Sequence, residues 1–377
     1  MQFGIFDHIE PIPGESLDQV YCDRLSQIER YDKAGFFAYH LAEHHTPAVH
    51  SLAPSQNVFL AAASQRTERI RLSPCIYVLP LHHPLRLIEE ICMLDHLSNG
   101  RLEIGVGRGG LLEAYFWGSA WDLESNYAKY IETLDIVRIG LSNDVLSFDG
   151  QFYHFDDLPM RLRPKQRPHP PMWYMRNVET AAREGMNSII VGTIEGFGSN
   201  VRRFWEEWER HQGKGSKTPQ GTEPKIGLVN HIVLSRNESD AISIAEEAWT
   251  EYMWNLTTPR RLEAERRGLN DMAYPDARPA GLPDREASPK YTMASDKTSQ
   301  NPNRFGDPGQ VTDQPQNAPF RVIAGTPSTL RQYLDEYLKT GANYFVCAFQ
   351  FGDMKSSIAN QSIDLFLNEV MPYYSNS

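Results

Sequence analysis

The chain has 377 residues, 41% hydrophobic and 23% charged, enough for one large α/β domain or two ordinary ones. Its net charge of −11 offers no basic field to a phosphate backbone, so no nucleic-acid partner is expected. No apolar run reaches the roughly 20 residues a bilayer span needs, Met1 to His8 lacks signal-peptide features, and four scattered cysteines fit a cytoplasmic protein with reduced thiols.

Phe3 to Phe6 reads as a strand, and Leu17 to Ala34 has helical spacing, with Leu17, Val20, Leu25 and Ile28 on one side. Phe36 to Leu41 is the second strand and Asn57 to Ser64 a helix. The third strand covers Ile70 to Leu79, and Pro84 opens a helix to Leu97, where its missing N–H is harmless. Arg101 to Val106 is the fourth strand, followed by a glycine turn and helix to about Leu141. Near-continuous apolar strands separated by helices argue for a parallel sheet covered on both faces. Between Leu146 and Pro171 the pattern breaks into a hairpin with its turn at Asp149-Gly150, then a proline-rich crossing. Strands resume at Met172–Met175, Ser188–Val191 and Ile226–Leu234, with helices at about Phe197–His211 and Ser239–Trp254. Helix Thr326–Lys339, strand Tyr344–Phe349 and a helix to about Val370 close the chain.

About eight strands, each trailed by helix, predict one α/β domain over residues 1–377, a (β/α)8 TIM barrel with an insertion at 146–171. An open doubly wound sheet is the alternative, but Gly105-Val106-Gly107-Arg108-Gly109-Gly110 neither follows the first strand nor fits Gly-x-Gly-x-x-Gly. Residues 258–319, polar and proline-rich, form either a lid after the seventh strand or a disordered insertion.

Barrel active sites collect where strands end at the C-terminal face. The second strand runs there into Leu41-Ala42-Glu43-His44-His45. Neighbours on a strand point to opposite faces, so only one imidazole of His44-His45, or of His82-His83, enters a crevice easily. With neither His-x-His at the first strand nor His-Glu-x-x-His, no metal centre is expected. At the end of the fourth strand, glycines let backbone approach an anion and Arg108 can clamp a phosphate. A plain glycine turn with a solvated arginine is the competing reading.

In order and spacing, Phe3-Gly4-Ile5-Phe6, Glu43-His44-His45, Leu79-Pro80 through His83-Pro84-Leu85-Arg86, and Leu94-Asp95-His96-Leu97-Ser98-Asn99-Gly100-Arg101 form one set. Together with Gly105 to Gly109 and Gly325-Thr326-Pro327-Ser328-Thr329, this set resembles the bacterial luciferase-like flavin-dependent monooxygenases, on the luciferase α-subunit branch. The resemblance implies reduced FMN (FMNH2) at the barrel mouth, delivered by a separate NAD(P)H:flavin reductase. It also implies O2 as co-substrate and a flavin C4a-peroxide that oxygenates an aldehyde, ketone or other small organic molecule, in a homodimer. It makes His44 the catalytic base and puts Glu43, Pro74, Cys75, Gly107 and Arg108 around the flavin, with a non-proline cis peptide at Pro74–Cys75. Gly107 stands where the luciferase α subunit has a reactive cysteine, so light emission is not implied. An arginine of the family is replaced near Asn126-Tyr127, which removes one phosphate contact the resemblance implies. The Pro171 to Thr180 stretch is shorter than the family's serine-bearing turn, and Arg176 and Asn177 are expected to cover the flavin there instead. His8, Tyr77 and Phe351 are expected at the mouth, shaping a substrate pocket or simply packing. A deazaflavin (F420) hydride-transfer enzyme and a non-catalytic flavin-binding subunit are the alternatives on the same fold.

Overall fold

The computed structural model describes residues 1–47, 51–269, 272 and 321–374. The elements are β1 (Gln2–Asp7), α1 (Leu17–Ala34), β2 (Ala38–Leu41), α2 (Gln56–Ser64), β3 (Arg71–Pro74), β4 (Tyr77–Val78), α3 (Pro84–Leu97), β5 (Ile104–Gly107), α4 (Leu111–Phe116) and α5 (Leu123–Ser142). Then come β6 (Val145–Asp149), β7 (His154–Pro159), β8 (Met172–Tyr174), α6 (Val178–Arg183), β9 (Asn187–Val191), α7 (Ile194–Gln212), β10 (Ile226–Leu234) and α8 (Glu238–Arg267). The last are β11 (Val322–Gly325), α9 (Pro327–Leu338), β12 (Tyr344–Ala348) and α10 (Ser356–Glu369).

Strand order is β3-β2-β1-β12-β10-β9-β8-β5-β4, and every neighbouring pair is parallel. The third predicted strand is split into β3 and β4, and Leu72 bridges to Leu102 beside β5. The two ends of the path therefore meet, and the nine strands nearly close into a barrel wrapped by helices. Among the described residues, β11 pairs only with β10. Side-chain alternation sorts the strands: Phe3, Ile5, Tyr39, Leu41, Leu72 and Phe345 pack outward against helices. Phe6, Ala42, Cys75, Trp173, Tyr344 and Val346 fill the lumen.

The lumen has a polar layer. His40 Nε2 meets Tyr344 Oη at 2.7 Å, and Trp173 Nε1 donates to Glu103, which also pairs with Arg71. Gly4 makes room for this layer: a Cβ there would fall 1.7 Å from Tyr344 Oη. Gly4→Ala is expected to destabilise the barrel by about 1–3 kcal/mol through overpacking, read as a lower urea midpoint.

Two further sequence expectations change, at the hairpin and at the start of the predicted lid. The hairpin turn is the four residues Gly150–Tyr153 rather than Asp149-Gly150 alone, since Asp149 pairs directly with His154. Glu132 on α5 accepts the backbone N–H groups of Gln151, Phe152 and Tyr153, which holds that longer loop. The helix expected to end at Trp254 continues as α8 to Arg267, through Pro259. Ion pairs Arg261–Glu265 (2.7 Å) and Glu263–Arg267 (2.5 Å) lace its far end, so a charged stretch that reads as loop is helix. The first ten residues of the predicted lid are thus helical, and residues 273–320 lie outside the described residues.

Glu10, buried just past β1, joins α8 to the barrel. It accepts from the Gly352 N–H (2.6 Å) and from Asn255 Nδ2 (3.2 Å). Burial pushes its carboxyl up to about 8. Between the ordinary carboxylate value and that value the folded protein keeps a proton that the unfolded chain has lost, so stability falls as pH rises through this window. Glu10→Gln is expected to flatten that decline, measured as denaturation midpoints from about pH 5 to about pH 9.

Candidate active site

The ends of β1, β2, β5, β8, β10 and β12 meet at the C-terminal mouth. From β1 comes His8, and from β2 comes His44, whose rings stack at 5.5 Å between centroids and 20° between planes. The lumen-facing parity of Phe6 and Ala42 carries these two residues to the same side. His45 turns the other way, with its Nε2 2.8 Å from Glu43 Oε1 and its ring edge-on to Trp117.

Glu43 does not form a wall of the site. Its side chain is 0% exposed, held by His45, by His82 Nε2 (3.0 and 3.1 Å) and by the Val78 N–H (3.3 Å). Burial acts against its charge, but His82 and His45 outweigh burial and hold the carboxyl below its usual range. Glu43 in turn overcomes the burial of His82 and holds that imidazole above its ordinary value. The carboxylate therefore braces the end of β2 from behind.

His44 meets two groups that the sequence did not announce. Arg260 Nη2, from α8, donates to His44 Nδ1 at 2.8 Å and to Glu113 Oε1, on α4, at 2.7 Å. Glu113 Oε1 also accepts the His45 N–H at 3.2 Å and lies 3.6 Å from His44 Nδ1. Burial pushes His44 below its ordinary value; Glu113 opposes this and Arg260 adds to it. Burial works against charge on Glu113 too, but Arg260 beside it holds the carboxyl far down. His8 is pushed well down by burial and by His44, His231 and Arg260. The mouth thus presents neutral imidazoles beside a buried ion pair.

Arg108 directly follows β5, with a guanidinium N–H 3.5 Å from Asn126 Oδ1. Burial and the nearby Arg176 lower its pKa. Asn126 stands in the neighbourhood where the family's arginine is replaced, and Arg176, after β8, is a second positive charge close enough to act on Arg108. Asn177 has a structural use: its Oδ1 accepts the Thr180 N–H at 2.7 Å and caps α6. Below them the wall is apolar and close, with Cys75 Sγ 3.4 Å from Met175 Sδ, and burial pushing the thiol up. Pro74 closes β3, and its carbonyl would lie 2.8 Å from a Cβ at Gly105. A Cβ at Gly107 would fall 2.1 Å from Ile76 Cδ1. The non-proline cis peptide is Cys75–Ile76, one bond beyond the expected Pro74–Cys75.

Tyr77 is corrected from mouth to core. It packs in the layer between strands and helices, and its hydroxyl donates to Asn57 Oδ1 of α2 at 2.5 Å. Alternation decides this, because β4 restarts with Tyr77 facing outward. Phe351 packs edge-on to His231 at 4.8 Å, and Tyr252 joins that group to His8 at 5.6 Å. Beside His44 opens a cavity of about 310 Å³, with His45, Ser51, Ser55 and Trp117 among its walls. Among the described residues, Ser51 Oγ is buried there without a hydrogen-bond partner. Among the described residues, no group of three or more His, Cys, Asp or Glu is arranged to hold a metal.

A family model described as luciferase-like monooxygenase matches residues 1–344. The uncharacterized protein y4wF of Sinorhizobium fredii is 33% identical over 94% of this chain and 92% of its own length. The oxygenase component of the flavin-dependent trigonelline monooxygenase of Acinetobacter baylyi is 27% identical, over 66% of this chain and 69% of its own. Among solved structures, monooxygenase RslO1 from Streptomyces bottropensis superposes with a TM-score of 0.72 at 21% identity, covering 99% of this chain and 100% of its own. The oxygenating constituent of 3,6-diketocamphane monooxygenase from Pseudomonas putida, in complex with FMN, gives 0.68 at 16%, over 99% and 98%. An F420-dependent secondary alcohol dehydrogenase gives 0.66 at 16%, over 98% and 97%. At these identities the structural likenesses speak for the fold alone.

Proposed function

The chain belongs to the luciferase-like monooxygenase family, and from that premise we propose that it is the oxygenase component of a two-component system. It takes FMNH2 from a separate NAD(P)H:flavin reductase and uses O2 to place one oxygen atom on a small organic substrate such as an aldehyde or ketone. The division into components is supported by the relative whose name calls it an oxygenase component. A homodimer is the assembly that goes with this reading.

The observation that carries the proposal is the pairing, at one mouth, of two like-charged guanidiniums with a neutral imidazole. Arg108 is depressed by burial and by Arg176, so a bound dianion relieves the repulsion between them. Gly105 and Gly107 let Pro74, Cys75 and Ile76 pack directly against β5. An arginine pair for a phosphate beside an apolar wall of Cys75, Ile76 and Met175 for a flat ring fits FMN. When bound, reduced flavin supplies the two electrons that activate O2.

The chain's own residues do the rest. Arg108 and Arg176 hold the phosphate. The lumen residues exclude water from the ring face, as oxygen chemistry on a reduced flavin requires. His44, neutral at physiological pH, moves the proton the oxygen transfer needs. The cavity beside it accepts the substrate, with Ser51 Oγ as a hydrogen-bonding group and Trp117 as an apolar wall. Among the described residues its walls carry no Lys, Arg, Asp or Glu, which suits a neutral molecule.

Anaerobic titration with FMNH2, and separately with reduced F420, tests the cofactor. Exposure to ¹⁸O2 with a panel of aldehydes and ketones tests the reaction. Saturation by FMNH2 and one ¹⁸O atom in the product are expected. Saturation by F420 with turnover independent of oxygen overturns the proposal in favour of hydride transfer. Binding of FMN with no turnover on any panel member favours a non-catalytic subunit, a role that gives no reason for the His44–Arg260–Glu113 arrangement.

A further inference from the structure

We infer that Arg260 is a positioning residue that sets the tautomer of His44, and that Glu113 is the alternative partner for the same ring nitrogen. The inference rests on the reading that His44 moves a proton in the reaction. A guanidinium has donors only, so the 2.8 Å contact from Arg260 Nη2 obliges His44 Nδ1 to accept. A neutral imidazole then carries its single proton on Nε2. In that state His44 is a hydrogen-bond donor through Nε2, and its one lone pair is engaged by a cation. It can neither take up a proton there nor become imidazolium while Arg260 stays docked.

Glu113 Oε1 is 2.7 Å from the same Nη2 and 3.6 Å from Nδ1, so guanidinium and imidazole compete for one oxygen. When Arg260 withdraws, a movement of less than about 1 Å brings Nδ1 within hydrogen-bond distance of that oxygen. The ring loses its Nε2 proton to water and regains one at Nδ1 from water, with no net change of charge. Nδ1–H then donates to the Glu113 carboxylate, and Nε2 carries the lone pair. This is a base oriented by a carboxylate, the arrangement general-base catalysis uses. Among the described residues, the charged and titratable groups facing His44 include His8 past β1, Glu43 beside it past β2, Glu113 on α4 and Arg260 on α8. Of these, only Arg260 is a fixed cation, so its departure raises the basicity of His44. Arg260 follows directly on Pro259, which cannot return a helical N–H to the Asn255 carbonyl.

The test needs neither flavin nor substrate. Protein labelled with ¹⁵N-histidine gives two-bond ¹H–¹⁵N correlations, with His44 assigned by its loss in His44→Gln. In the wild type the expected pattern is an unprotonated Nδ1 and a protonated Nε2. In Arg260→Gln the proton is expected on Nδ1, with the titration midpoint of His44 raised by roughly 1–3 pH units. Glu113→Gln is expected to move the midpoint the opposite way and keep the wild-type tautomer, and Arg260→Lys to restore an accepting Nδ1. A merely structural role for the pair gives no such opposition of sign. A wild-type ring protonated at Nδ1 overturns the inference, as does an Arg260→Gln ring unchanged in proton position. If Arg260→Gln does not fold, the wild-type tautomer and the Glu113→Gln shift decide. Failure of FMNH2 to saturate the protein defeats the functional proposal without altering any of these spectra, so the two can fail separately.

Discussion

His44→Ala is expected to bind FMN nearly as the wild type does and to lose product formation by about 10²–10⁴-fold, the usual scale for removing a general acid or base. The geometry explains the split. The proposed anion site draws on Arg108 after β5 and Arg176 after β8, whereas His44 follows β2. The imidazole is instead stacked on His8 and tied to Arg260. Its side chain is 24% exposed, so it reaches the mouth while the carboxylates around it do not. Flavin fluorescence titration gives the binding arm and ¹⁸O incorporation the activity arm. Full turnover by His44→Ala removes His44 from the reaction, and loss of FMN binding makes it part of the cofactor site instead.

Arg108→Gln is expected to weaken FMN binding by about 10–150-fold, the equivalent of the roughly 1.5–3 kcal/mol carried by a hydrogen bond to a charged group. Riboflavin, which lacks the phosphate, is expected to bind both proteins alike. This comparison isolates the phosphate contact, because any loss of fold or ring packing weakens both ligands together. The effect of Arg108→Gln is expected to shrink as salt rises, since the site is only partly buried. Equal weakening for FMN and riboflavin would mean that Arg108 supports the ring or the wall rather than the phosphate. Arg176 is more exposed than Arg108, so its replacement is expected to cost less.

Much of the fold was legible because its signal is local. Apolar runs such as Gln2–Asp7 and Ile226–Leu234 mark strands buried on both faces, and their alternation with helical spacing leaves few architectures open. The division of the histidine pair was legible for the same reason, since period-two alternation sends His44 over His8 and His45 against Glu43. Tyr77 was expected at the mouth because it lies near the end of a strand read as continuous from Ile70 to Leu79. That strand is broken between Pro74 and Tyr77, and the restarted β4 turns Tyr77 outward. Helix α8 was cut short because Pro259 and a charged run resemble a loop when their ion pairs cannot be seen.

The sequence by itself determined the barrel, the strand end that carries His44, and the glycine-flanked Arg108, because each depends on spacing within a few residues. Tertiary structure alone decided the company these residues keep. Arg260 reaches Glu113 across 147 positions of chain, and no local pattern records a contact made by folding. Glu43 sits beside His44 in sequence yet ends behind the wall, enclosed by His45 and His82. Burial, ion pairing and the choice of protonated nitrogen depend on distances in three dimensions, and these set the chemistry of an imidazole whose position the sequence already marks.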